Sequence, residues 1–178
     1  MLSFALYSLG AYLLDVPLRR KMAATAARAY ASRRGLPLLN VGAGTPGTSY
    51  QGACLDGDVN VDIAGRRDVP HGIPGVVTYA DAQDLRDFPS GSFGAVLASH
   101  VLEHLPRPDL ALSEWLRVVG GDANALFVVT PHWWAPHALG HPGHLWLFPD
   151  GAGCTKQSCT PIRLRQEAGP TASLLRLR

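Results

Sequence analysis

The sequence predicts an α/β chain built on a mainly parallel, twisted sheet with helices on both faces, and three observations carry that prediction. Short apolar runs at residues 36–41, 59–63, 76–79, 93–99 and 125–130 have the length and composition of buried strands. Longer segments separate them, as crossovers between parallel strands require; hairpins would need only tight turns. The first run opens into Gly42-Ala43-Gly44-Thr45-Pro46-Gly47, a G-x-G-x-x-G loop of the kind that lets a cofactor approach the backbone at a strand end.

Residues 1–35 read as an N-terminal helical extension and residues 36–178 as one layered domain. Residues 2–16 are apolar apart from serines and Asp15, and Arg19, Arg20 and Lys21 follow them. A secretory signal carries its positive charge before the apolar run, and a spanning helix needs about 20 apolar residues. This segment is therefore expected to cap the core or a cleft, or to make peripheral membrane contact through residues 1–16. Residues 18–34, rich in Ala and Arg and stopped by Gly35, predict a helix whose basic residues face water.

Between the first two strands, residues 50–54 leave room only for a short helix before a turn at Gly57. Asp62 stands near the end of strand two, 62 − 42 = 20 residues after Gly42, the usual distance to a carboxylate that accepts the hydroxyls of an adenosine ribose. Pro70, Gly72, Pro74 and Gly75 leave no room for a long crossover helix, and the third strand runs into Asp81-Ala82. The fourth ends in Ser99-His100-Val101-Leu102-Glu103-His104-Leu105. Pro106 and Pro108 then suit a helix start with Asp109 in its first turn, an apolar face of Leu112, Trp115, Leu116 and Val119, and a stop at Gly120-Gly121. Beyond the fifth strand, residues 132–178 carry His132, Trp133, Trp134, His137, His141, His144 and Trp146, a candidate substrate lid. Two short strands, 162–166 and 174–178, are expected as an antiparallel edge.

Composition narrows the function. A hydrophobic fraction of 47% and a charged fraction of 17% belong to a folded domain, and a net charge of +2 with interspersed signs provides no field for nucleic acid. The odd set Cys54, Cys154 and Cys159 lacks the density of a disulfide framework, which points to free thiols, a reducing cytoplasmic compartment and no cysteine metal site.

The glycine loop, Asp62, Asp81-Ala82 and the S-H-V-L-E-H-L segment, in that order, resemble the class I S-adenosylmethionine-dependent methyltransferases. The similarity is closest to the small-molecule group called the methyltransferase-11 type, here small and C-terminally reduced. It spans roughly residues 36–131, and "SFGAVLASHVLEHLPRPDLALSEWLRVV" is its most specific phrase. The resemblance implies a Rossmann-like fold and S-adenosylmethionine as cofactor. Gly42, Ala43, Gly44 and Gly47 would back its methionine part, Asp62 would hold the ribose, and Asp81 with Ala82 would border adenine. Ser99 and His100 would flank the methyl group, which passes in line to a small-molecule acceptor. A base is needed only for a protonated nucleophile; His100, His104 and His132 are the candidates, His100 first. Two positions depart from the family pattern. Asn40 stands where a carboxylate normally meets the cofactor's amino group, so Asn40→Asp is expected to strengthen cofactor binding, and Gly94 stands where Asp is common.

Other chemistries share parts of this pattern. The glycine loop and Asp62 also make a dinucleotide fingerprint, though the chain is short for a nicotinamide dehydrogenase. His100-Val101-Leu102-Glu103-His104 spells H-x-x-E-H, an inverted zinc-protease pattern with His132, His137, His141 and His144 as possible further ligands, though Pro106 and Pro108 cut its helix short. Asn40 and the weak helix after the glycine loop also fit a methyltransferase-like binding domain without catalysis.

Overall fold

The computed structural model describes residues 16–45, 53–131, 138, 140–148 and 162–163. Helix α1, Val16–Arg34, has Pro17 in its first turn and six alanines along its length. It stops at Gly35, whose φ of +64° is the left-handed turn a glycine takes without strain. Its alanines let it lie very close to the sheet: Ala27 and Ala31 are buried against Leu38, Ala95 and Leu97. A β-carbon at Gly94 would come within 2.7 Å of the Ala31 Cα, so the space an Asp would need there is filled by α1. That contact accounts for one of the two departures from the family pattern.

Several of the helix's basic residues do not simply face water. Arg20 meets Asp56 at 3.1 Å, Arg28 donates to the Asp56 carbonyl at 2.6 Å and pairs with Asp58, and Arg34 donates to the carbonyls of Gly94 and Val119, each at 3.1 Å. These contacts fasten α1 to the loop at residues 56–58, to Gly94 and to Val119.

Strands β1 (Leu38–Val41), β2 (Val59–Asp62), β3 (Val77–Tyr79), β4 (Ala95–Ser99) and β5 (Leu126–Val129) form a parallel sheet in the order β3-β2-β1-β4-β5. Leu39 pairs with Val59 on one side and Val96 on the other. Period-two alternation divides the strands between two faces. Leu38, Ala95 and Leu97 meet α1, while Leu39, Val41, Val61, Val96 and Ala98 meet the opposite layer. Helix α2, Pro108–Val118, supplies that layer with Ala111, Trp115 and Val118. The expected apolar face is rotated: Trp115 and Val119 are buried as anticipated, but Leu112 and Leu116 are half-buried and Ala111 and Val118 take the inner positions. A buried hydrogen bond from the Trp115 indole to the Ala82 carbonyl, 2.9 Å, fixes this rotation.

The β2–β3 connection is loop and turn, as its prolines and glycines require. The described part of the 162–166 strand, β7 (Ile162–Arg163), pairs antiparallel with β6 (Trp146–Leu147), so the 146–147 segment is its partner; residues 174–178, expected in that role, lie outside the described residues, as do 1–15. Among the described residues no helix is long and apolar enough to cross a membrane.

Candidate functional site

Parallel pairing brings the carboxyl ends of β1, β2 and β4 to one edge of the sheet. The chain leaves β1 toward β2 and leaves β4 toward β5, so a crevice opens between β1 and β4 where the direction reverses. Gly42 and Gly44 enter it with φ of +67° and +72°. A β-carbon on Gly42 would fall 2.2 Å from a Val101 methyl, so the glycine loop passes directly against the segment that follows β4. The loop is folded over β2 by the Ala43 N–H on the Val61 carbonyl at 3.0 Å and the Gly44 N–H on Asp62 Oδ2 at 2.9 Å. Gly47 lies outside the described residues.

Asp62 is half-buried, and its Oδ1 accepts from the Ala64 N–H at 2.9 Å. With one backbone donor on each oxygen, the carboxylate keeps lone pairs for two further donors. Asp81 Oδ1 accepts from the Gln83 N–H at 2.8 Å, and Oδ2 takes no hydrogen bond among the described residues. The buried Ala82 is held by Trp115, and Gln83 Oε1 accepts the Arg107 N–H at 2.8 Å, so α2 and the residue before it position this turn.

Asn40 has a different surrounding from the one its motif position implies. It is fully buried, and its Nδ2 donates to the Cys54 carbonyl at 2.6 Å and to Asn60 Oδ1 at 3.0 Å. Asn60 in turn exchanges hydrogen bonds with the Gly57 backbone at 3.0 and 2.9 Å. This amide network ties β1 to the loop before β2. A carboxylate has no hydrogen to offer the two acceptors, so Asn40→Asp would break this network.

At the end of β4, Ser99 is 4% exposed and its hydroxyl has no partner among the described residues. His100 follows with φ +58°, a conformation costly for a residue with a β-carbon; its N–H donates to the Val129 carbonyl at 2.8 Å. Its Nδ1 approaches Glu103 Oε1 at 3.3 Å without hydrogen-bond alignment, and its Nε2 is buried and unpartnered among the described residues. Glu103 is 1% exposed, and neither carboxylate oxygen has a hydrogen bond there. Sequence reasoning did not single out Glu103, although it lies inside the S-H-V-L-E-H-L phrase; its burial is a tertiary consequence of the turn.

The H-x-x-E-H segment is not an α-helix. A 3₁₀ turn spans only Leu102–His104, so the i, i+4 face a zinc hydrolase uses is absent. His104 instead donates from Nδ1 to the Gly143 carbonyl at 2.9 Å and gathers with His141 and His144. Burial pushes the His144 imidazole down to about 4. His132 lies outside the described residues.

The sequence profile of a methyltransferase-domain family matches residues 39–127, half of the chain, from β1 into β5. The chain belongs to that methyltransferase family. No curated protein matches it. Methyltransferases of this type generally bind S-adenosylmethionine. Two buried polar atoms without a partner among the described residues, Ser99 Oγ and His100 Nε2, stand at the β4 end, and the bare glycine backbone and a half-buried Asp62 stand at the ends of β1 and β2. A buried polar atom without a partner is expensive, and a ligand that hydrogen-bonds it removes the cost.

Proposed function

We propose that this methyltransferase binds S-adenosylmethionine in the β1/β4 crevice and transfers its methyl group to a small or apolar acceptor. The observation that carries the reading is the pair of unpartnered atoms on Ser99 and His100, beside a positive-φ glycine loop at the point where the sheet reverses. Gly42, Ala43 and Gly44 would contact the methionine part through backbone, Asp62 would accept the ribose hydroxyls, and Asp81 with Ala82 would border the base. The remaining cofactor-loop residue is Gly47. When bound, the cofactor would supply a methyl group already activated by its sulfonium sulfur, for in-line transfer to a lone pair of the acceptor with the thioether as leaving group.

The protein's task is then to position the acceptor and exclude water. For a hydroxyl acceptor, His100 Nε2 would take the leaving proton, with Glu103 beside Nδ1 stabilising the imidazolium that results. His104 and His132 are the other candidate bases. The Trp- and His-bearing segment after β5 would cover the acceptor, and residues 1–16 would supply any contact with a membrane surface. A second reading, cofactor binding without catalysis, draws on the buried role of Asn40.

Replacing His100 by Ala separates these readings. If His100 is the base, methyl transfer to a hydroxyl acceptor at saturating S-adenosylmethionine falls by a factor on the order of 10²–10⁴ while calorimetric titration still shows the cofactor bound. Unchanged turnover removes His100 from the chemistry, and wild-type protein that binds the cofactor yet methylates no acceptor favours the binding domain.

A further inference from the structure

His104, His141 and His144 come together where residues 138–148 dock on the turn after β4. The docking is made by the Leu145 N–H on the Glu103 carbonyl at 2.7 Å and the Trp146 indole on the Leu105 carbonyl at 2.8 Å. The ring centroids of the three histidines are 4.5 to 5.3 Å apart, and one candidate ligand atom from each lies within 4.8 Å of the others. We propose that these three histidines form a binding site for a divalent transition metal, with Zn²⁺ the ion that best suits an all-imidazole set.

The hydrogen bonds around the rings resemble those of metal-bound histidines. His104 and His144 each donate from Nδ1 to a backbone carbonyl, of Gly143 at 2.9 Å and of Ala138 at 2.8 Å. A carbonyl can only accept, so the proton of each neutral ring is on Nδ1 and the lone pair is on Nε2. A carbonyl partner on the far nitrogen is the usual device for orienting a ligand histidine. His141 differs: its Nδ1 accepts the Gly143 N–H at 3.1 Å, so that bond must give way or the ring proton must move when a cation enters.

Gly143 lies against two of the rings: a β-carbon there would sit 3.2 Å from both His104 Nδ1 and His141 Cε1, so a larger residue would push the rings by a few tenths of an ångström. With Zn–N bonds of about 2.0–2.1 Å in a tetrahedral site, ligand nitrogens stand about 3.4 Å apart. From 4.8 Å, the widest ligand separation therefore needs to close by about 1.4 Å, within reach of side-chain rotation.

A second feature lies beside the cluster. Glu103 adjoins His104 in the chain, is 1% exposed, meets His100 Nδ1 at 3.3 Å, and has no hydrogen bond on either carboxylate oxygen among the described residues. A carboxylate in that setting is costly unless a cation stands close by. A divalent ion on the three imidazoles would supply the charge, and it would fasten the 138–148 segment to the turn that carries Glu103 and follows His100. Three protein ligands leave one coordination position for water or a substrate oxygen. This site does not depend on the methyltransferase reading and is tested without turnover.

The test is a titration of the untagged, full-length protein, freed of metal by a chelator, with Zn²⁺ and separately with Co²⁺ as a visible probe. The expected result is one equivalent of Zn²⁺ per chain, a tetrahedral Co²⁺ spectrum free of thiolate charge-transfer bands, and binding weakened at least about tenfold by the exposed change His141→Ala. His71→Ala, remote from the cluster, should bind as the wild type does. No stoichiometric binding, equal binding by the wild type and His141→Ala, or thiolate bands that assign the ion to cysteine would each overturn the proposal.

Discussion

Asn40 donates its side-chain amide to Asn60 Oδ1 at 3.0 Å, joining β1 to β2 inside the sheet. The same nitrogen reaches the Cys54 carbonyl, while Oδ1 is buried with no hydrogen bond among the described residues. Asn40→Asp would set a carboxylate against two acceptors and leave its other oxygen as bare as before. A charged or protonated form both lose, and the expected cost is about 3 kcal/mol. Thermal unfolding should show a fall on the order of 10 °C for a chain of this size. A variant as stable as the wild type would show that the amide network does not hold the strands.

Gly42 is constrained twice, by its φ of +67° and by the Val101 methyl group where its β-carbon would be. Gly42→Ala is expected to lose about 2 kcal/mol of stability and to weaken cofactor binding at least tenfold, since the loop must move to relieve the contact. Val101→Ala removes that methyl. In a double-mutant cycle, Gly42→Ala should therefore cost less in the Val101→Ala background by about 1 kcal/mol. Strict additivity would mean that the two segments do not touch.

Acid should loosen the turn that carries Asp81 and Ala82. Arg117, hydrogen-bonded to Glu114, holds the Glu114 carboxyl below its ordinary value; Glu114 also accepts the Leu85 N–H at 2.8 Å, while Arg117 donates to the carbonyls of Leu85 and Phe88, each at 2.8 Å. A depressed carboxylate stabilises the fold at pH above its unfolded value of 4.5, and the contribution disappears as pH falls through the lower folded value. Urea unfolding of the wild type should weaken across that acid range. Glu114→Gln should be less stable at neutral pH and should show a smaller further loss on acidification; parallel curves for the two proteins would refute the pairing.

The layered architecture was legible because buried parallel strands and glycine stops are local signals. The runs ending at Val41, Asp62 and Ser99, the loop at Gly42 and the start of α2 at Pro108 each follow from composition within a few residues. What the sequence could not show depends on partners distant in the chain. The inner face of α2 is set by the indole of Trp115 reaching Ala82, 33 positions earlier. Gly94 reflects the Ala31 backbone, and Asn40 reflects Asn60 and Cys54, relations that no motif encodes. The H-x-x-E-H spelling pointed to a His100–His104 pair with His132, His137, His141 or His144 beside it; His104, His141 and His144 do gather, but His100 stands apart because a 3₁₀ turn and the His100 backbone separate it from His104.

The central claim is that the β1/β4 crevice holds S-adenosylmethionine, and calorimetric titration tests it most directly. The wild type should bind S-adenosylmethionine and its demethylated product at one site per chain and should not bind NAD. Asp62→Ala, which removes the acceptor for the ribose hydroxyls, should weaken both by about tenfold or more. Binding of NAD alone, or of none of the three, would contradict the account.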